Sequence, residues 1–225
     1  MKRLVHFLFF IFLFSMLTGC NGQTKNNPPT QKQNNTKKVV GGGCDGCNSM
    51  YIGMPENIAP VDTSIGWKEK GQQLLVTGKV FKIDGKTAAP GVIIYYWQTD
   101  NNGYYAAAPG MDEKAKRHGH IRGWVKTDID GNYSIYTIKP APYPNADIPA
   151  HIHTLIKEPD IGNEYYIDEF IFDDDTLLTA AKRRVLENRG GSGILKPVSA
   201  ANLQVAQHNI TLGLNIPDYP ESKHD

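Results

Sequence analysis

From residue 74 to residue 212 the chain is written as short runs of β-branched and aromatic residues separated by turn signals, and that rhythm leaves few folds open. Gln73 to Lys82 alternates loosely and stops at Asp84-Gly85. Val92 to Gln98 is a continuous apolar and aromatic run behind Pro90-Gly91, as expected of a core strand. Ile121 to Thr127 runs into the turn Asp128-Ile129-Asp130-Gly131, and Tyr133 to Ile138 alternates again. His151 to Ile156, Tyr166 to Phe172 and Leu203 to Leu212 complete the set. The pattern predicts an all-β chain, a β-sandwich of two mainly antiparallel sheets with long loops. Eleven Tyr, eight Phe and three Trp suit such a core. One short helix is expected, capped by Asp175, with its body over Leu177 to Leu186 and its stop at Gly190-Gly191. Gly190-Gly191-Ser192-Gly193 follows that helix and lacks a Lys-Ser/Thr ending, so it reads as a loop rather than a phosphate cradle.

The first residues set an expected address. Lys2 and Arg3 precede an almost unbroken apolar run from Leu4 to Leu17, and Leu17-Thr18-Gly19-Cys20 follows. A basic start, an apolar run and small residues before a cut site describe a secretory signal, and the run is short for a membrane span. The ending resembles a bacterial lipobox, which implies a signal peptide over 1–19, lipid on Cys20, and an exported protein anchored to a bacterial membrane. Each buried methylene of such a lipid contributes about 0.8 kcal/mol. Asn21 after Cys20 is compatible with an outer-membrane or cell-surface position. Residues 20–43, rich in Asn, Gln, Thr, Lys and Pro and closed by Gly41-Gly42-Gly43, read as a disordered tether to a domain over 44–225. Cys44 and Cys47 stand in a Cys-x-x-Cys spacing. In an exported chain they suit a small disulfide loop, with a redox pair or half a zinc site as the other readings. The formal charge of +1 lacks the basic face that nucleic acid requires, so no nucleic-acid partner is expected.

Chemistry concentrates in Tyr143-Pro144 and in Pro149-Ala150-His151-Ile152-His153. On a strand, residues two apart share a face, so His151 and His153 can aim both imidazoles at one point while Ile152 packs behind. Two converging imidazoles form half a metal site. Tyr143 sits between Pro142 and Pro144, which stiffen its loop, and Tyr104-Tyr105 follows the sharp turn at Gly103. A phenol with a free pKa near 10 ligates only an ion charged enough to favour phenolate. Oxygen and imidazole donors suit iron.

Motifs in a fixed order then accumulate: Gly78-Lys79-Val80 and Pro90-Gly91; Trp97-Gln98-Thr99-Asp100 before Gly103-Tyr104-Tyr105; Thr127-Asp128-Ile129-Asp130-Gly131-Asn132-Tyr133 leading to Thr137-Ile138-Lys139-Pro140; Tyr143-Pro144; and the His-x-His segment. Over residues 78 to 175, and more loosely to Pro220, the chain resembles the intradiol ring-cleavage dioxygenases. The resemblance implies non-haem Fe(III) held by Tyr105, Tyr143, His151 and His153, with Tyr104 facing away. It implies a small-molecule catechol and O2 as substrates, and a muconate-type product. It further implies that Tyr143 gives way as the catechol binds and helps to take its proton, so Tyr143 and Tyr105 are the expected catalytic residues. Family members commonly associate, which leaves a homo-oligomer open.

Two positions depart from the family. Ile148 stands where catalytic members carry Arg, and Glu169 where they carry Gln, so both are expected in the substrate pocket. Loss of a preorganised cation weakens stabilisation of charge that builds on the substrate, and Glu169 would repel an anionic one. Lys139, Arg117, Arg122, His118 and His120 are the basic groups that could compensate. The alternative function is a non-catalytic or weakly active sandwich that binds a ligand or iron. A zinc hydrolase lacks the Glu base beside its His pair.

Overall fold

A computed structural model describes residues 39–221. The expected signal peptide, Cys20 and the tether as far as residue 38 lie outside them. Among the described residues twelve strands form in chain order: β1 (Val61–Thr63), β2 (Gln73–Phe81), β3 (Ile93–Gln98), β4 (Arg122–Lys126), β5 (Asn132–Ile138), β6 (His151–Lys157), β7 (Tyr165–Tyr166), β8 (Phe170–Phe172), β9 (Ile194–Leu195), β10 (Val198–Ala200), β11 (Leu203–Gln207) and β12 (Ile210–Thr211). One sheet has the order β1-β5-β2-β11-β10, with β12 also on β2; the other runs β4-β3-β6-β8-β9, with β7 also on β6. The central pairings β2–β5, β3–β4 and β3–β6 are antiparallel, as is β10–β11, while β1 on β5, β9 on β8, and β11 and β12 on β2 are parallel. This is the expected β-sandwich.

Alternation decides which residues meet between the sheets. Leu74, Val76 and Val80 of β2 and Tyr133 and Ile135 of β5 pack with Ile94 and Tyr96 of β3, Ile152 and Ile156 of β6, and Phe170 and Phe172 of β8. Each large apolar side chain so buried contributes about 1.5–3 kcal/mol. The odd-numbered residues of β3 and β6 point the other way. Tyr95, Trp97 and Leu155 form a second cluster on the outer face with Cys47 and Met50, and Tyr105, Trp124 and Tyr166 lie against it. The candidate site stands on this outer face.

Three expectations change in detail. The helix is only α1 (Ala180–Arg184), capped by Thr179, and none of its residues is buried. Without an apolar face to pack, nothing extends it. Asp175 instead accepts from the backbone N–H groups of Leu177 at 2.8 Å and Ala150 at 2.7 Å. The run 166–172 is split between β7 and β8, and 203–212 between β11 and β12. At the second break His208 N donates to Thr77 O, and a Cβ on Gly78 would come within 1.7 Å of His208 O. Gly78→Ala is therefore expected to destabilise the domain by about 1–3 kcal/mol, read as a lower urea midpoint at unchanged slope. Finally, the domain starts before residue 44. Val40 is buried, Gly41 N donates to Pro217 O at 2.7 Å, and Asn163 and Arg189 donate to the carbonyls of Val40 and Gly41. The expected tether boundary at Gly43 thus moves back, because these backbone groups find partners in the domain. Among the described residues no helix is long and apolar enough to cross a membrane.

Candidate metal centre

Two loops and one strand build the site. Asp100 Oδ1 accepts from the backbone N–H groups of Asn102 and Tyr104 at 2.8 and 3.1 Å, which bends the chain after β3. Gly103 has φ 85°, and a Cβ there would lie 2.2 Å from Pro142 O. Only glycine lets this turn rest on the loop that carries Tyr143. Thr99 Oγ1 donates to Ala141 O at 2.7 Å and Ala141 N to Asp100 O at 3.1 Å, so the two tyrosine loops are stitched together. Tyr104 is exposed while Tyr105 turns inward, as expected.

The four expected ligands converge. Tyr105 Oη lies 2.6 Å from Tyr143 Oη and 2.8 Å from His153 Nε2. Tyr143 Oη lies 3.1 Å from His151 Nε2 and 3.5 Å from His153 Nε2, and the two Nε2 atoms are 3.2 Å apart. Both histidines have their other nitrogen occupied. His151 Nδ1 donates to Pro149 O at 2.7 Å, and His153 Nδ1 lies 2.6 Å from Glu169 Oε1. That fixes the tautomer, leaving a bare Nε2 lone pair on each ring aimed at the tyrosine oxygens. Four donor atoms spaced about 3 Å apart can share one ion held at about 2.0–2.1 Å.

Electrostatics agree with that use. Burial, then the Tyr143 hydroxyl, raises the Tyr105 phenol well above its ordinary value; burial also raises Tyr143 and lowers His151. Burial opposes the charge of Glu169, but the bond from His153 and the fields of both imidazoles hold its carboxyl below the usual range. Phenols that resist ionisation beside a carboxylate need a highly charged cation to become phenolates. Hard oxygens with two imidazoles suit ferric iron. The ligand atoms of His151, His153 and Glu169 lie within 4.8 Å of one another. Glu169 nevertheless engages Nδ1 of His153, the nitrogen turned away from the tyrosines, so it orients a ligand rather than completing a two-His, one-carboxylate set.

A cavity of about 440 Å³ opens on these residues, lined by Trp97, Arg117, His118, Tyr166 and Glu169 together with Tyr105, Tyr143 and His153. A larger cavity of about 730 Å³ around Pro90, Glu158 and Tyr219 contains none of the expected ligands. Ile148 corrects the sequence expectation: it is exposed and does not line the site cavity. The ties from Lys182 Nζ to Asp147 O at 2.6 Å and from Ala150 N to Asp175 hold this loop toward α1 and leave residue 148 outside. Glu169 does line the cavity. Neither Trp97 nor Tyr166 has a site role in the sequence reading: Trp97 stands there in the Val92–Gln98 run and the Trp97-Gln98-Thr99-Asp100 motif, and Tyr166 at the start of a strand.

Cys44 and Cys47 are disulfide-bonded, with Cα atoms 5.6 Å apart. Between them, Asp45 accepts Arg117 Nη2 at 3.1 Å on its carboxylate and the Tyr166 hydroxyl at 2.9 Å on its carbonyl. The loop therefore braces two cavity walls.

Comparison with known proteins decides the relationship. Residues 54–189, more than half the chain, match the family model described as Dioxygenase. The chain belongs to the intradiol ring-cleaving dioxygenase family. Among curated family members, it is 31% identical over 106 residues to 6-chlorohydroxyquinol 1,2-dioxygenase of Cupriavidus pinatubonensis (strain JMP 134 / LMG 1197), covering 40% of this chain and 37% of that one. It is 28% identical over 113 residues to hydroxyquinol 1,2-dioxygenase of Rhizobium sp. (strain MTP-10005), covering 43% and 37%. The chain spans between 37% and 57% of the length of the curated relatives it matches. Solved structures share the fold. 3-Chlorocatechol 1,2-dioxygenase of Rhodococcus opacus 1CP superposes with a TM-score of 0.53 at 20% identity, over 70% of this chain and 66% of that one. The dioxygenase domain of a carbohydrate-binding fusion from Streptomyces sp. SirexAA-E gives 0.51 at 21%, over 71% and 91%.

Proposed function

We propose that this intradiol family member is a non-haem Fe(III) dioxygenase that opens a catechol between its two hydroxylated carbons with O2, giving a muconate-type product. The observation that carries the reading is the convergence of Tyr105 Oη, Tyr143 Oη, His151 Nε2 and His153 Nε2 at 2.6–3.5 Å. These residues would hold ferric iron, which supplies Lewis acidity toward the aromatic diol when bound. Charge supports the ferric state, since two phenolates and Glu169 offset three positive charges. Tyr143 Oη, carried on its loop beside His151, would accept a hydroxyl proton from the catechol. Trp97 offers a flat wall, and Glu169 disfavours an anionic ring substituent, so catechol itself is expected to react faster than 3,4-dihydroxybenzoate. The segment from Lys2 to Cys20 supports a lipid-anchored, exported setting.

The second reading, a sandwich that binds iron or a ligand without turnover, draws on Ile148, a position that contributes no cation to the cavity. A visible spectrum of residues 39–225 purified with ferric iron separates the two. Tyrosinate bound to ferric iron gives an intense charge-transfer band. A band that shifts on adding catechol, with oxygen uptake, is the expected result. A coloured protein without uptake leaves iron binding alone, and a folded, colourless, iron-free protein removes the dioxygenase reading.

A further inference from the structure

One row of side chains crosses the cavity along the strand order. His118 stacks on Trp97 of β3 with ring centroids 4.1 Å apart, Trp97 stacks on His153 of β6 at 4.7 Å, and His153 bonds Glu169, just before β8. The acidic group closes one end of the row and His118 the other. Arg117, beside His118, lines the same cavity.

The surroundings of His118 set which of its nitrogens carries the proton. Tyr95 Oη lies 2.8 Å from His118 Nδ1 and accepts from Arg122 Nη1 at 3.3 Å. A guanidinium can only donate, so the phenol oxygen accepts there, and among the described residues His118 Nδ1 is the acceptor that its own hydrogen can reach. The imidazole proton is then on Nε2. Burial, followed by the charge of Arg117, pushes the ring down to about 4, so it is neutral near pH 7. Among the described residues no protein group pairs with Nε2, and the side chain lines the cavity. Arg117 gives one nitrogen to Asp45 and keeps further N–H donors free. The remaining basic groups are engaged elsewhere: Arg122 with the carbonyls of Ser49 and Ile52, His120 with Glu69, and Lys139 with Asp174.

We propose that His118 Nε2–H and the Arg117 guanidinium form the donor wall that receives the negative charge of the bound substrate's oxygen, opposite Glu169. This rests on the reading of the cavity as a catechol site. The pair stabilises charge from a loop between β3 and β4, and no residue at position 148 is needed for it.

Long-range ¹H–¹⁵N correlation on the metal-free full-length protein reads the tautomer directly. An Nε2–H signal for His118 is expected, and an Nδ1–H tautomer overturns the proposal. Oxygen uptake on catechol is then measured for the iron-loaded wild type, His118→Phe, His118→Gln and Arg117→Gln. Phe keeps a ring on Trp97 without a donor, and kcat/KM is expected to fall roughly a hundredfold. Gln restores an N–H near the position of Nε2 and is expected to recover most of that loss. Arg117 is half-exposed, so Arg117→Gln tests the wall without disturbing the core; a fall of about tenfold is expected. Wild-type kinetics in Arg117→Gln, or in folded His118→Phe, overturn the donor wall and leave the dioxygenase reading standing. A wild type without visible band or oxygen uptake overturns both.

Discussion

A domain carrying alanine at both His151 and His153 is expected to fold and to lose iron, colour and oxygen uptake together. The two imidazoles stand on the outer face of β6, and what holds β6 in the sandwich is elsewhere. Its backbone pairs with β3 from Ile93↔Lys157 to Gln98↔Ile152, and Ile152 and Ile156 face the core. Alanine leaves that ladder and that face unchanged. The losses to folding are the stack of His153 on Trp97, worth about 0.5–1.5 kcal/mol on the scale of aromatic pairs, and the bonds to Pro149 O and Glu169, worth about 0.5–1.5 kcal/mol each. The loss to metal binding is far larger. Removing a group that merely orients a ligand costs about 10–100-fold in affinity, and here two ligands vanish from four. Iron content after dialysis, the visible band and a urea melt separate the two effects. A double variant that keeps its iron and colour would sink the reading of this site as the metal centre.

Strand periodicity made the sandwich and the histidine pair legible. β2 and β5 alternate between buried and half-buried positions, and β3 is buried along nearly its whole length. The period of two along β6 places His151 and His153 on one face with Ile152 behind. No local pattern could announce that Tyr105 and Tyr143 meet. Their approach depends on Gly103 lying against Pro142 and on the bonds between the 99–100 and 141 backbones, so before the structure it rested on motif order alone.

Other features depend on partners far along the chain. His118 lies in a charged turn that reads as solvated loop, and its burial follows from a stack on Trp97 and a bond to Tyr95. The segment around Cys44 and Cys47 has no periodicity. It is ordered by contacts that Met50, Asp45 and Ile52 make with Trp124, Arg117 and Arg122. Residues 177–186 favour helix locally, yet only Ala180–Arg184 form one, because no apolar face fixes the segment against a sheet. Ile148 shows the same limit from the other side. Motif order placed it beside the histidines, and ties of the loop to Asp175 and Lys182 turned it outward.

Glu169 separates orientation from charge, so its two replacements should behave differently. The carboxylate accepts from His153 Nδ1 and thereby presents Nε2 to the tyrosine oxygens. Glu169→Ala removes acceptor and charge at once, and iron affinity is expected to fall about 10–100-fold, the usual cost of losing such a partner. Glu169→Gln keeps a carbonyl oxygen for the same N–H and removes only the charge. Its iron affinity is expected to fall less than about tenfold, because the ring keeps its tautomer. The charge has a second consequence, because Glu169 lines the cavity. A carboxylate on the ring meets that charge in a partly water-excluded space, where repulsion is stronger than in bulk water. Glu169→Gln should therefore raise kcat/KM for 3,4-dihydroxybenzoate relative to catechol. Metal competition with a chelator and paired oxygen-uptake assays measure the two effects independently. Equal iron loss in both variants would show that charge, not the hydrogen bond, serves the metal. An unchanged substrate ratio in Glu169→Gln would show that the ring substituent points away from β8.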